Sequence, residues 1–244
     1  MNVLELEHAA FSSCPAIEQK YIQGFILRAN GGYTKRANSA NQINDINVEP
    51  EKIIYGCESY FLKRKQASIF RLLSTCDNNL LDHKLALRGY EYADKTYVMT
   101  KAVRLAHNTS HKIERSSDKD WIDSFYRISS TQNAFKQQHL QMIQSISAPS
   151  FIAIQRDKKE NIAAQAIGVI KNGYFGIFNI VTDKAHQRQG FCQLLISGLM
   201  NWAYYLGAHT AYVQVNAENI PALTLYRKLG YKKKYHCWYR ALRR

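Results

Sequence analysis

In the second half of the chain, short apolar runs alternate with turn signals. Phe151–Gln155, Ile162–Ile170 and Tyr174–Val181 predict three consecutive antiparallel strands, joined at Lys158-Lys159-Glu160-Asn161 and Lys171-Asn172-Gly173. An Asn-Gly step between such runs is a strong hairpin signal. Across 190–206 the period changes: Leu195, Leu199, Trp202 and Leu206 recur at helical spacing and predict an amphipathic helix. Thr210–Val215 is a strand. Asn219 can cap the next helix, Pro221 falls in its first turn and Gly230 ends it, before strand-like aromatics over 231–242.

The first half is less regular. Residues 3–22 read as one or two helices, Gly24–Asn30 as a strand, Gly31-Gly32 as a turn and Tyr33–Ile43 as a polar strand. Pro50 opens a helix to about Lys65, Ala67–Leu73 is a strand, Asn79–Arg88 a helix stopped by Gly89, and Glu91–Arg104 one or two strands. Residues 107–118 are polar without periodicity and read as a linker, and 119–147 as two helical pieces. A weak repeat links the halves. Strand, short helix ending Leu-Arg-Gly89-Tyr90, then strand in the first is matched by strand, short helix ending Lys-Leu-Gly230-Tyr231, then strand in the second. The expected fold is therefore α/β (α+β), two tandem units, each a mixed, mainly antiparallel sheet flanked by helices.

Composition narrows the function. The 244 residues are 46% hydrophobic with only 4 Pro and 12 Gly, which excludes a disordered or collagen-like chain. No run approaches a membrane span (Leu194–Leu206 is too short and amphipathic), and the N-terminus lacks the pattern of a signal peptide. The 5 cysteines are scattered with no C-x-x-C pair, which argues against a metal site or a disulfide framework and for reduced thiols in the cytoplasm. Charge is the unusual quantity: 33 Lys+Arg against 19 Asp+Glu, a net +14. An anionic partner follows, whether nucleic acid, an acidic surface or a phosphorylated cofactor. The excess is concentrated in the second half, and beyond residue 183 the only carboxylate side chain is Glu218.

The segment most suited to an anion is Phe178–Leu195, where an apolar strand passes through Gln187-Arg188-Gln189-Gly190 into a helix. Unpaired N–H groups and the positive end of the dipole meet at such a junction, and a glycine lets a phosphate approach the backbone. One glycine in a strand–helix loop is weak by itself. Two further features strengthen it: the antiparallel strands leading in, and the segment Asn216–Tyr231 downstream.

With these residues the chain resembles the GNAT superfamily of N-acetyltransferases. Gln187 and Gly190 match its Gln/Arg-x-x-Gly-x-Gly/Ala phosphate loop, with Cys192 at the last small position. Asn219, Ala222, Leu225, Tyr226, Gly230 and Tyr231 match its second landmark, Asn-x-x-Ala-x-x-Leu-Tyr-x-x-x-Gly-Phe/Tyr. Gly24–Ile43 (GFILRANGGYTKRANSANQI) resembles a signature of bacterial tandem members, in which a degenerate unit precedes the active one. The implied division is 1–106 as that degenerate unit, 107–118 as linker and 119–244 as the catalytic domain. The region before helix 50–65 has no glycine and carries Asp45, Glu49 and Glu51, so the first unit is not expected to bind coenzyme A.

The resemblance implies direct acetyl transfer from acetyl-CoA to an amine in a ternary complex. Backbone groups of Ile180, Val181 and Thr182 would pair with the pantetheine arm, those of Arg188, Gln189, Gly190, Phe191, Cys192 and Gln193 would hold the pyrophosphate beside Gln187, and Asn219 would bond the arm from the other side. Tyr226 falls where the family often has a general acid. No base is assigned: strand 174–182 has no carboxylate, and Asp183, Glu218 or a water chain stand as alternatives. Tyr33, Arg36 and Asn38 either line the acceptor cleft or hold the interface between units. The basic balance favours a neutral or anionic, amino-acid-like amine over a polyamine. Two other readings stay open: a catalytically silent acyl-CoA sensor, and a nucleic-acid-associated protein using the basic tail Arg227–Arg244 with Tyr231, Tyr235, Trp238 and Tyr239. A homo-oligomer is compatible with all of them; no metal is expected.

Overall fold

The computed structural model describes residues 2–106, 113–129 and 132–242. The first half supplies α1 (Val3–Ser12), β1 (Glu18–Ile22), β2 (Phe25–Ala29), β3 (Ser39–Gln42), α2 (Pro50–Leu62), β4 (Ile69–Leu73), α3 (Asn79–Leu87) and β5 (Glu91–Ala102). The second supplies β6 (Glu114–Arg115), α4 (Asp118–Ser129), α5 (Lys136–Gln144), β7 (Ser150–Arg156), β8 (Ile162–Lys171), β9 (Tyr174–Thr182), α6 (Phe191–Tyr205), β10 (Thr210–Asn216), α7 (Ile220–Lys228) and β11 (Lys232–Ala241).

All strands join one 11-stranded sheet in the order β1-β2-β3-β4-β11-β5-β10-β9-β8-β7-β6. Only β3·β4 and β9·β10 are parallel. The two parallel pairs occupy matching places, and so do β4-α3-β5 and β10-α7-β11. Each half sends its last strand into the other: β11 pairs with β4, β5 pairs with β10, and β5 and β11 pair with each other at the centre. The sheet thus does not part at 107–118, and the expected sheet per half becomes one sheet closed by exchanged strands. The Gly-Tyr landmarks do the same work twice. Gly89 (φ +82°) and Gly230 (φ +85°) end their helices in the left-handed region. Tyr90 N–H then donates to Leu85 O (3.0 Å), Tyr231 N–H to Tyr226 O (2.9 Å), and both tyrosines are buried.

The helices divide between the two faces. α2, α3, α6 and α7 cover one, where alternate residues such as Phe70, Leu72, Phe175, Ile177, Val213 and Val215 point. α1, α4 and α5 cover the other, over Ile167, Phe178, Tyr212, Tyr235 and Cys237. α1 is fastened by a buried ion pair in which Arg71 donates twice to Glu7 (2.5 and 3.0 Å), with Tyr235 donating to the same carboxylate. An ion pair this buried is costly to break from one side.

Four expectations change. Residues 18–22 form an edge strand, not helix, because Glu18–Ile22 pairs residue for residue with β2. Over 33–43, Lys35–Ala37 is a 3-10 turn and only Ser39–Gln42 is strand. Of the expected linker, 107–112 lie outside the described residues, 114–115 pair with β7 and Asp118 already begins α4. On α6, Leu195 and Leu199 are buried as expected, whereas Leu206 is the exposed C-cap and Ala203 takes its place in the core.

Candidate active site

β9 and β10 begin as partners and then separate. Their parallel pairing covers only Tyr174–Gly176 against Thr210–Tyr212, yet β9 continues to Thr182 and β10 to Asn216. The cause lies within β9. Between the pairs Gln165↔Val181 and Ile167↔Phe178, β8 has one residue and β9 two. The extra residue forms a bulge, with Asn179 in the left-handed region at φ +50°. Beyond it the strand bends away, and its edge facing β10 lines a cavity of about 1230 Å³ together with Gln214, Val215 and Asn216.

The loop into α6 closes one end of this cavity. Asp183 caps a 3-10 turn, Lys184–His186, by accepting from Ala185 N–H (2.9 Å). His186 ties the turn down through Asp157 (2.9 Å) and Asp183 (3.1 Å). Those two carboxylates, Asp157 first, raise its pKa above the ordinary imidazole value. Arg188 (φ +60°) and Gly190 (φ +89°) then turn the chain sharply. The first intrahelical bond of α6 is Leu194 N–H to Gly190 O (3.0 Å). None of the N–H groups of 188–193 has an acceptor among the described residues, and a Cβ built on Gly190 would meet nothing within 4 Å. The loop thus presents unpaired N–H groups and the Arg188 side chain around open space, an arrangement chemically suited to an anion. Gln187, Arg188, Gly190, Phe191, Cys192 and Gln193 line the cavity, but Gln189 does not: its amide is spent on Ala185 O (2.7 Å).

Across the cleft stand the residues of the downstream landmark. Asn219 caps α7 by accepting from Ala222 N–H (3.1 Å), which leaves its amide N–H₂ free to face a ligand. Tyr226 lines the cavity at 7% exposure, and its hydroxyl has no partner among the described residues. Burial, with Cys192 beside it, pushes its pKa well above the ordinary phenol value. It therefore keeps its proton at neutral pH. The Cys192 thiol is held close to Thr182, and burial raises its pKa too, so it is not a thiolate.

The other end is built by the first half. Tyr33 and Arg36 line it with Thr34, Lys35, Arg71 and Tyr239. Tyr33 stacks on His139 (4.5 Å between ring centres), and burial raises its pKa. Asn38 does not reach the cavity. Its carbonyl accepts from Asn30 (2.7 Å) and Gly32 (3.0 Å) N–H, and its amide donates to Asn30 O (3.3 Å) and Thr34 O (2.9 Å). It holds the turn that carries Tyr33 and Arg36. Neither Asp183 nor Glu218 lines the cavity; the one carboxylate that does, Asp94, is ion-paired with Lys35.

A family model described as "Probable histone acetyltransferase Rv0428c C-terminal" matches residues 2–240. The chain belongs to this family of GNAT N-acetyltransferases. It is 29% identical over 237 residues, 94% of each chain, to the Bacillus subtilis protein described as uncharacterized N-acetyltransferase YobR. Over 83 residues it is 30% identical to the Escherichia coli ribosomal protein bS18-alanine N-acetyltransferase, covering 34% of this chain and 56% of that one. A GCN5-related N-acetyltransferase from Kribbella flavida has the same fold, with a TM-score of 0.71 at 14% identity, covering 98% of this chain and 94% of that one.

Two site features of this acetyltransferase escape motif reading. The bulge at Asn179 leaves no mark in the residues 174–182. Asn179 itself becomes notable only in three dimensions, where its amide meets the Nε2 of buried His139 (2.9 Å). His139 is neutral, its pKa pulled down to about 4 by burial and by Arg36. Among the described residues no group of three or more His, Cys, Asp or Glu could hold a metal, and no helix is long and apolar enough to cross a membrane.

Proposed function

We propose that the enzyme transfers the acetyl group of acetyl-CoA to the primary amine of a small, amino-acid-like molecule in a ternary complex. The supporting observation is a continuous cavity. It runs from the unpaired N–H groups at the start of α6, through the gap between β9 and β10, to Tyr33 and Arg36. The cradle suits a pyrophosphate: it offers N–H donors and Arg188, with open space over Gly190.

Acetyl-CoA, when bound, supplies the activated thioester. The N–H groups of Arg188 and of 190–193 would hold its pyrophosphate, the free β9 edge at Ile180–Thr182 and the Asn219 amide would orient its arm, and a β9 N–H would polarise the thioester carbonyl. Tyr226 would deliver its phenolic proton to the leaving sulfur, a role favoured by its retained proton and unpartnered hydroxyl. With neither Asp183 nor Glu218 lining the cavity, we assign removal of the amine proton to water.

In this reading the first half is a degenerate unit (1–106, joined by 107–118 to 119–244) that shapes the acceptor end. Its helix α2 starts with Pro50, which has no N–H, and Glu51, which is ion-paired with Lys84. The free state of the five thiols suits a reducing, cytoplasmic setting. The nucleic-acid reading is weakened because β11 is a central strand and Tyr231, Tyr235 and Tyr239 are buried. Thiol release from acetyl-CoA across a panel of amines tests the proposal. Coenzyme A binding without turnover on any amine would replace it with an acyl-CoA sensor; salt-sensitive retention on RNA without coenzyme binding would favour the nucleic-acid reading.

A further inference from the structure

The acceptor end of the cavity carries a charge that the protein does not neutralise. Three cations line it besides those of the α6 loop. Lys35 is paired with Asp94, and Arg71 is paired twice with Glu7. Arg36 has no acid partner among the described residues; its guanidinium instead stands 5.6 Å from the ring centre of Phe178 on β9. Its field reaches Tyr33, Tyr212, Tyr239 and His139. Burial keeps those phenols protonated and that imidazole neutral, so the ring of groups around Arg36 contains no anion at neutral pH.

The fold also keeps Arg36 in place at some cost. Its carbonyl accepts from Arg28 Nη1 (2.7 Å). Arg28 is itself fully buried, donates to Phe11 O (3.1 Å) and Cys14 O (2.5 Å), has no acid partner, and leaves its Nε without an acceptor. Burial lowers its pKa only to about 10, so it stays a cation. Arg28, solvated by three backbone carbonyls, thus ties the backbone that carries Arg36 to the end of α1, and of the two only Arg36 lines the cavity. An anion from solution would complete the site of Arg36.

We propose that Arg36 receives the carboxylate of the acceptor, and that the acceptor is therefore a free amino carboxylic acid. This rests on the acetyl-transfer reading above. A guanidinium pairs with a carboxylate through two parallel donors, which fixes orientation as well as charge. A polyamine would bring a second cation to a site in which Arg36 already lacks an acid partner among the described residues.

The test uses the full chain and matched pairs: glycine and glycinamide, alanine and alaninamide, β-alanine and β-alaninamide, phenylalanine and phenylalaninamide, with putrescine as the diamine. Acetyl-CoA turnover is read as thiol release. Binding is read separately by calorimetric titration of each compound into the enzyme saturated with coenzyme A. At least one acid should show a KM and a Kd tenfold or more below those of its amide. Arg36→Gln should abolish that preference, Arg36→Lys should restore part of it, and coenzyme A affinity should change less than threefold in both. Amides or putrescine used as well as acids, or a preference that survives Arg36→Gln, overturns the carboxylate assignment while leaving acetyl transfer intact. Acid-selective binding lost in Arg36→Gln, with no turnover of any amine, would keep the carboxylate site and sink the transfer reading. Equal binding, or none, across every pair overturns the site itself.

Discussion

Replacing Gly190 by alanine separates backbone strain from ligand contact. Gly190 has φ +89°, and its added Cβ would meet no protein atom within 4 Å. The protein alone therefore offers no steric objection; the cost is conformational, roughly 1–2 kcal/mol for a left-handed non-glycine residue. In a chain of this size each kcal/mol lowers Tm by roughly 2–4 °C, so the variant should remain folded. The open space over Gly190 is where the pyrophosphate is proposed to lie against the unpaired N–H groups. A methyl group there would lengthen at least two charge-assisted bonds, each worth about 1.5–3 kcal/mol. The Kd for coenzyme A should then rise by about 10²–10⁴, since each 1.4 kcal/mol is tenfold. Gly207 is the matched control. It follows the other end of α6 with φ +74° and equally empty surroundings. Gly207→Ala should lower Tm by a similar amount and leave Kd unchanged. Calorimetric titration with coenzyme A reads both variants. A Kd within threefold of wild type in Gly190→Ala, or an equal loss in Gly207→Ala, would refute the cradle.

Tyr226→Phe removes a hydroxyl that bonds to nothing described in the protein, so Tm should hold; kcat should fall by about 10²–10⁴ while the Kd for coenzyme A moves less than threefold, and an unchanged kcat removes its acid role. His186 has a folded pKa above its unfolded value of about 6.5, so its tie to Asp157 and Asp183 is fully present below that value and is lost as pH rises through the raised pKa. The Kd for coenzyme A should accordingly weaken on the alkaline side, and His186→Asn should flatten that dependence across pH 6–9; a dependence that persists in the variant would exonerate the loop tie. Asn38→Ala deletes the partner of two N–H and two carbonyl groups in the turn before β3 and should cost about 1–3 kcal/mol, read by urea denaturation. Because that turn carries Arg36, the acceptor KM should rise while that of acetyl-CoA stays put.

Much of the site was legible because it is local. The anion cradle is a strand, a loop and a helix start in sequence, and its requirement for a left-handed glycine is met by Gly190. The landmark from Asn219 to Tyr231 is likewise one helix with its cap and its stop. The hairpins of β7–β9 follow from alternating apolar residues and an Asn-Gly turn. Where the expectation differs from the fold, the deciding feature is a pairing or a turn that apolar periodicity does not mark. Glu18–Ile22 has no apolar period to mark it as a strand; its pairing with β2 makes it one. Asn38 was expected to contact the acceptor or hold an interface, and all of its hydrogen-bonding capacity proves to be committed within its own turn.

By itself the sequence determined the strands and helices from Phe151 onward, the strand–loop–helix junction at Gly190 and the repeated Gly-Tyr stops, because each depends on residues within a helical turn or a hairpin of one another. Tertiary structure alone decided three other things. It exchanged β5 and β11 between the halves, since a strand's partner is set by which edges and faces complement each other and not by nearness along the chain. It bent β9 at Asn179 and so parted it from β10 along the cavity. It also placed Arg36, from the first half, beside Phe178 of the second with Arg28 buried behind it. The positive balance of the composition is a sum over the whole chain. Only the fold shows which charges cancel, at Lys35–Asp94 and Arg71–Glu7, and that Arg36 faces the cavity beside them with no acid partner among the described residues.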